Sequence, residues 1–219
     1  MSGRAAPKDW DKFWAADHVY KKLSWSKRRI LRLLDRYVQP GMCVLDAGCG
    51  SGFFSRYFIS RGGRTTALDY SAEALAITRK TTDGKAEAYL QLDLLDSLEM
   101  QKHAGRFDLV FSDGLFEHFE PQEQARIMAH LRQSLRSGGL IVTIVPNRWS
   151  LWEVIRPLFM PGIREVPFTP GALRKLYRDN GMNLVESGGL NVLPIRFSPE
   201  WAGPLFGMLL YAIGGRAAP

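Results

Sequence analysis

The residues best suited to chemistry lie in one stretch, Val44-Leu45-Asp46-Ala47-Gly48-Cys49-Gly50-Ser51-Gly52. An acid followed by glycines at alternate positions lets a strand end in a turn whose backbone approaches a ligand closely, at the N-terminus of the next helix. A dinucleotide site asks for GxGxxG, its third glycine packing that helix on the sheet. Here Phe53 holds that position, and the GK[ST] of a phosphate-cradling loop is absent. The turn therefore suits a cofactor that joins an amino acid to a nucleoside without phosphates. Asp69 ends the next apolar run, where a carboxylate can accept hydrogen bonds from both ribose hydroxyls. Asp93 ends the one after, placed to accept from an adenine amino group, with Tyr70 and Leu94 covering the ring faces. His118 follows the fourth apolar run and is the leading general base, with Glu117 to orient it. The alternative roles are a structural histidine capping the next helix and a helix-start glutamate. His103 and His130 read as bystanders.

These residues need elements to hold them. Residues 10–38 read as helical, in two pieces, with Ile30, Leu33, Leu34, Tyr37 and Val38 three and four apart. Pro40-Gly41 breaks the helix. Strands are expected at 43–46, 64–69, 86–92, 107–112 and 140–145, with helices at 53–61, 72–81 and 121–135. This alternation predicts an α/β, Rossmann-like, doubly wound sheet, mostly parallel, with helices on both faces. Beyond Pro146 the pattern changes. An insert at 147–170 is followed by a helix at 170–180 capped by Thr169. A closing antiparallel hairpin is expected at 182–187 and 189–197, turning at Gly188-Gly189. The uncharged tail 201–215 reads as an interfacial helix, a dimer contact or a segment packed on the insert. The chain is expected to be one structural domain. Residues 1–39 form an aromatic and basic helical segment capping the active site, and 40–147 the cofactor-binding core. Residues 148–169 are a substrate-side lid, and 170–219 the closing elements and tail.

Five segments, VLDAGCGSG at 44–52, ALDYS at 67–71, QLDLLD at 91–96, FDLVFSDGLFEHF at 107–119 and LRSGGLIVTIVPN at 135–147, carry a resemblance. In order and spacing the chain resembles the class I S-adenosylmethionine-dependent methyltransferases over about residues 25–195. The resemblance implies S-adenosyl-L-methionine as cofactor. Asp46, Gly48, Gly50 and Gly52 would hold its methionine end, Asp69 the ribose, Asp93 and Leu94 the adenine, and the Ser112–Asp113 backbone the amino group. EHF at 117–119 and TPGALRKLYRDNGMNLVESGG at 169–189 are similar to the small-molecule branch, including ubiquinone-biosynthesis O-methyltransferases. Those enzymes carry a further glutamate three residues before the Glu-His pair and hold a divalent metal. Here that position is Gly114, so no metal site is expected. The implied function is methyl transfer to an oxygen or nitrogen of a small, partly apolar molecule. A nucleic-acid or protein methyltransferase using the basic flanks is the second reading. Against it, base-amino enzymes carry [DN]PP[FYW] where this chain has Ser112-Asp113-Gly114-Leu115. A non-catalytic cofactor-binding or membrane-associated subunit is the third.

Composition sets the remaining bounds. The 219 residues are 46% hydrophobic and 23% charged, ordinary globular usage that excludes wholesale disorder. Two cysteines, Cys43 and Cys49, form no disulfide scaffold and no metal-ligand spacing. Residues 1–10 are polar, without the apolar region of a signal peptide, and no apolar run reaches the roughly 18 residues of a membrane span. A cytoplasmic location is expected, with peripheral contact to a membrane. The net charge of +7 is concentrated before residue 37 and after residue 147. Such flanks attract an acidic substrate or anionic lipid. Nucleic acid is not expected as a partner, and the oligomeric state is left open. Trp149, Trp152, Leu158, Phe159, Met160 and Phe168 beside Arg148, Arg156 and Arg164 predict an apolar acceptor with an acidic group, or lipid docking.

Overall fold

Helix α1, Trp25–Leu34, starts where Ser24 accepts a hydrogen bond from Lys27 N at 3.2 Å, and buries Ile30, Leu33 and Leu34 as one stripe. The computed structural model describes residues 11, 24–151, 153 and 165–216. Most of the N-terminal aromatic segment (Trp10, Phe13, Trp14, Tyr20) lies outside these residues. So do Trp152, Arg156, Leu158, Phe159, Met160 and Arg164 of the insert.

After α1 come β1 (Cys43–Ala47), α2 (Phe53–Ser60), β2 (Arg64–Asp69), α3 (Ala72–Thr81) and β3 (Ala88–Gln91). Then follow α4 (Ser97–Gln101), β4 (Phe107–Asp113), α5 (Pro121–Ser134) and β5 (Leu135–Pro146). The chain closes with α6 (Pro170–Asp179), β6 (Met182–Leu190), α7 (Gly203–Phe206) and β7 (Leu209–Arg216). The seven strands lie in the order β3-β2-β1-β4-β5-β7-β6. The first five are parallel; β7 runs antiparallel to both β5 and β6. The doubly wound, mostly parallel sheet with antiparallel closing strands is as the sequence predicts.

Side-chain alternation sorts the core. Leu45, Leu68 and Val110 face Met100, Ile127, Leu131 and Leu173, which belong to α4, α5 and α6. Val44, Leu109 and Phe111 face Ile30, Leu34, Phe54 and Phe58 of α1 and α2, while α3 adds Leu75 over Ala67. Helices thus cover both faces.

The closing strands differ from the expected hairpin. β6 runs unbroken through Gly188-Gly189, and its partner is β7, drawn from the tail. Those glycines serve close approach and not a turn: a Cβ on Gly188 would lie 2.7 Å from the Tyr211 ring, and one on Gly189 2.0 Å from the Gly203 carbonyl. The last part of the tail, 209–216, is therefore a strand of the sheet and not an interfacial helix. Leu210, Ala212 and Ile213 are buried in a strand between two others. A strand covered on both faces reads as a continuous apolar run, which periodicity cannot tell from a helix. The short helix α4, capped by Asp96, was also not expected. β5 begins several residues before the predicted strand, through a register shift opposite Phe107–Leu109.

Candidate active site

The strand order reverses between β1 and β4, and open α/β sheets bind ligands in the crevice outside the carboxyl ends at such a point. Asp46 shares the sheet face of Val44, Asp69 that of Ala67, and Asp113 that of Phe111, so all three carboxyls project toward α1–α3. The sequence placed Asp46 and Asp69 at strand tips and gave a role only to the Ser112–Asp113 backbone; the pleat brings the Asp113 carboxyl to the same side.

Between them the turn after β1 takes left-handed backbone at Gly48, Gly50 and Gly52 (φ 73°, 51° and 72°). Gly52 has a second reason to lack a side chain, because a Cβ there would meet the Thr78 Cα at 2.8 Å. Thr78 fixes the loop by donating to the Gly50 carbonyl at 2.9 Å. Leu68 O accepts from Gly48 N (2.8 Å) and Cys49 N (3.0 Å), tying the turn to β2.

Asp69 takes one bond on each oxygen, from Gly50 N and Ser71 N, both at 2.9 Å. Burial raises its pKa, and these amides pull it back only in part. Asp46 is 2% exposed and accepts from Ser55 Oγ at 2.5 Å. Burial pushes it up to about 7 against that bond, with repulsion from Asp113 and Asp69 adding to the rise. Asp113 is pushed up to about 6 by burial, against the pull of Lys27. The Ser112 hydroxyl is buried with no hydrogen-bond partner among the described residues. Three carboxyls lie around the glycine turn, each with its pKa raised first by burial, and a cation beside them would favour their ionised forms. The residues fit a ligand with an ammonium and a sulfonium, and Asp69 has lone pairs left for hydroxyl donors.

Lys27 is the site residue that the sequence did not single out. Its charge stood in a run with Arg28, Arg29 and Arg32, which reads as a solvated helix face. In the structure its ammonium lies 4.3 Å from the Phe53 ring centre. Its pKa is lowered by burial and supported by Asp113. The signal available was its place on the amphipathic helix, opposite the arginine face.

The adenine side is less open. Asp93 Oδ1 accepts from Leu95 N at 2.9 Å, while Leu94 is 5% exposed and packs within the main core. His130 holds this turn, its Nδ1 2.7 Å from Leu94 O and its Nε2 3.1 Å from Ser97 Oγ. The role is structural, as expected of a bystander. Tyr70, half-buried, directly follows Asp69. Asp11 bonds to the Ser71 hydroxyl and, at 3.3 Å, to Glu73 N, so the chain before α1 touches the rim beside Asp69.

Glu117 and His118 stand on a 3-10 turn, Phe116–His118, just beyond β4. Glu117 is turned inward and 2% exposed, and its Oε2 has no partner among the described residues. Burial raises its pKa well above the usual range, and Glu165, Asp113 and Glu153 push the same way. This favours the neutral acid and weakens the support a carboxylate would lend to His118. The Glu117 carbonyl accepts from Val166 N at 2.8 Å, joining the turn to the end of the insert. No group of three metal-ligating side chains occurs among the described residues.

Residues 44–139 match a family model described as a methyltransferase domain. Over 129 residues the chain is 46% identical to a malonyl-[acyl-carrier protein] O-methyltransferase of Pectobacterium atrosepticum, covering 59% of this chain and 47% of that protein. It is 28% identical over 141 residues to a ubiquinone biosynthesis O-methyltransferase of Xanthomonas campestris, covering 63% and 57%. The chain thus spans about half the length of these curated relatives. Among solved structures, a Haloferax volcanii putative methyltransferase in complex with the Trm112 activator matches with a TM-score of 0.75. The identity is 20%, and the match covers 98% of this chain and 99% of that one.

Proposed function

We propose, from the premise that this chain belongs to the class I S-adenosylmethionine-dependent methyltransferase superfamily, that it methylates a small molecule. The observation that carries the reading is the convergence of Asp46, Asp69 and Asp113 around the Gly48–Gly52 turn. S-adenosyl-L-methionine, when bound, supplies a methyl group on a positively charged sulfur, open to in-line attack. The chain's own residues do the rest. The glycine turn and Asp46 hold the methionine end, and Asp113 and the Ser112 backbone hold the ammonium. Asp69 accepts from the ribose, and Asp93, Leu94 and Tyr70 flank the base. Holding donor and acceptor together out of water is worth about 7–11 kcal/mol. The acceptor atom we propose is an oxygen, as in the names of both curated relatives, on a partly apolar molecule with an acidic group. His118 takes the hydroxyl proton, a contribution of about 10²- to 10⁴-fold. Lys27, beside Asp113, offers a charge for the acceptor's acidic group. We place the reaction in the cytoplasm, with a peripheral contact to an anionic membrane surface. Among the described residues no helix is long and apolar enough to cross a membrane.

The test is mass spectrometry of a native extract incubated with the protein and isotopically labelled S-adenosylmethionine, to find which molecule gains the label. Calorimetry with adenosylhomocysteine runs beside it. Asp69→Ala should weaken that binding by about 30-fold or more, the worth of a charged hydrogen bond or two. Equal affinity in Asp69→Ala and the unmodified chain contradicts the site. Cofactor binding without any labelled acceptor contradicts the activity.

A further inference from the structure

We infer that the surface formed by α1 and the connection from Asn191 to Met208 docks on an anionic phospholipid surface. This locates the peripheral contact proposed above, and it stands or falls apart from the methyl-transfer reading.

Two independent features meet there. The first is apolar. Leu193, Ile195, Phe197, Trp201, Leu205 and Phe206 are 44%, 51%, 78%, 87%, 53% and 59% exposed, all within one connection between strands. Single exposed apolar side chains are ordinary, but a group gathered on one segment marks an interaction surface. The segment is held firmly. Arg29, 6% exposed, donates from Nη1 to Asn191 Oδ1 at 2.8 Å and from Nη2 to the Ile195 carbonyl at 2.6 Å. Its Nε bonds Glu200, whose other oxygen accepts from Asn191 N at 2.7 Å. The loop is thus presented by a buried cation and not left loose, which lowers the ordering cost of binding.

The second feature is charge. Beside the apolar group opens a pocket of about 270 Å³ lined by Arg29, Arg32, Arg36 and Arg196, with Leu33, Leu190 and Tyr211 as its apolar wall and Ser198 and Glu200 completing it. Glu200 neutralises Arg29, and Glu186 takes Arg36. Arg32 and Arg196 have no carboxylate partner among the described residues, and Arg196 stacks on Phe197, 5.4 Å from its ring centre. Of the two surplus cations, Arg196 is therefore mounted directly against an exposed aromatic, and Arg32 lines the same pocket.

A soluble phosphate compound would answer the arginines and leave the aromatics in water. A second copy of this chain would bring the patch's surplus of two cations against the same surplus on the other copy, because a two-fold interface pairs a patch with itself. An anionic bilayer satisfies both features, with headgroup phosphates for Arg32 and Arg196 and the acyl boundary for Phe197 and Trp201.

The experiment is co-sedimentation of the full chain with vesicles of phosphatidylglycerol mixed into phosphatidylcholine, and of phosphatidylcholine alone, at low and moderate salt. Binding should need the anionic lipid and weaken with salt. Arg32→Gln/Arg196→Gln should weaken it roughly 30-fold, the worth of about two basic residues at such a surface. Phe197→Ser/Trp201→Ser should weaken it as much without altering the salt dependence. Both variants should keep the melting temperature and the adenosylhomocysteine affinity, which separates failure here from failure of the active-site reading. Equal binding to the two vesicle types, or no binding, overturns the proposal. So does full competition by inorganic phosphate with no effect of the apolar pair, or a dimer in solution that Phe197→Ser/Trp201→Ser abolishes.

Discussion

The carboxyl cluster makes cofactor affinity a function of pH, and its size follows from the structure. In the cofactor-free protein Asp46 titrates at about 7 and Asp113 at about 6, both raised first by burial. A bound cation favours the ionised forms, so their pKa values fall in the complex. The complex then holds fewer protons than the free protein wherever the pH lies below those values. Binding releases protons, and affinity rises with pH, levelling off above about 7. At pH 5 the free protein has roughly 99% of Asp46 and 90% of Asp113 protonated, so complete ionisation on binding costs about 10³-fold, or ~4 kcal/mol.

The assay is isothermal calorimetry with S-adenosylmethionine from pH 5 to 8, in two buffers of different ionisation enthalpy, with circular dichroism confirming the fold at each pH. Close to two protons should be released per site at pH 5, and almost none at pH 8. Asp46→Asn should remove the step near pH 7 and leave the one near pH 6. Adenosylhomocysteine lacks the sulfonium charge and should show a shallower dependence. A dissociation constant flat within about twofold across this range, or no proton release at pH 5, shows that these carboxyls do not ionise against a bound cation.

Other perturbations test separate links. Gly52→Val places a branched side chain at φ 72° with its Cβ 2.8 Å from the Thr78 Cα. It should cost about 2–4 kcal/mol by urea unfolding, against about 1 kcal/mol for Gly41→Ala, where the backbone is also left-handed but the space is open. Similar losses for the two would show that packing on α3 is not what demands Gly52. Glu186 accepts from Arg36, Tyr211 and Tyr37; burial pushes its pKa up, but these bonds prevail and hold it at about 2. A depressed acid stabilises above its unfolded value and loses that contribution as pH falls from about 4.5 toward 2. Glu186→Gln should therefore lose roughly 1–3 kcal/mol at pH 7 and little at pH 2, read from unfolding curves at both. His118→Ala should lower kcat by about 10²- to 10⁴-fold with cofactor affinity unchanged. An unchanged kcat would return His118 to a structural role.

The parts legible in the sequence share one property: their signal is local. The caps at Ser71 and Thr169 are fixed by neighbours within a few residues, and the glycine turn and the acids at strand tips show as residue types at short spacing even though their partners lie farther off. The parts that were not legible depend on partners far along the chain. Lys27 matters because Asp113 and Phe53 come to it, and its place opposite the arginine face of α1 does not by itself name those partners. Glu117 carried two readings, an orienting charge and a helix-start contact, and neither could show the burial that raises its pKa, with Glu165, Asp113 and Glu153 adding to the rise.

The tail carries the same argument furthest. Gly188-Gly189 followed by an apolar stretch has the local form of a turn and a loose amphipathic end. Its true meaning rests on Tyr211 closing over Gly188 and on β7 entering between β5 and β6. The connection 191–208 is longer than this insertion requires, because the chain leaves β6 at its Leu190 end and re-enters the sheet at Leu209, directly opposite. The two residues pair in register, so a tight turn would have served to join them. The connection instead carries exposed Phe197, Trp201 and Phe206, which add nothing to the pairing of β6 with β7. Length that topology does not need, anchored by a buried arginine and spent on exposed aromatics, calls for an explanation outside the fold. A membrane surface supplies one.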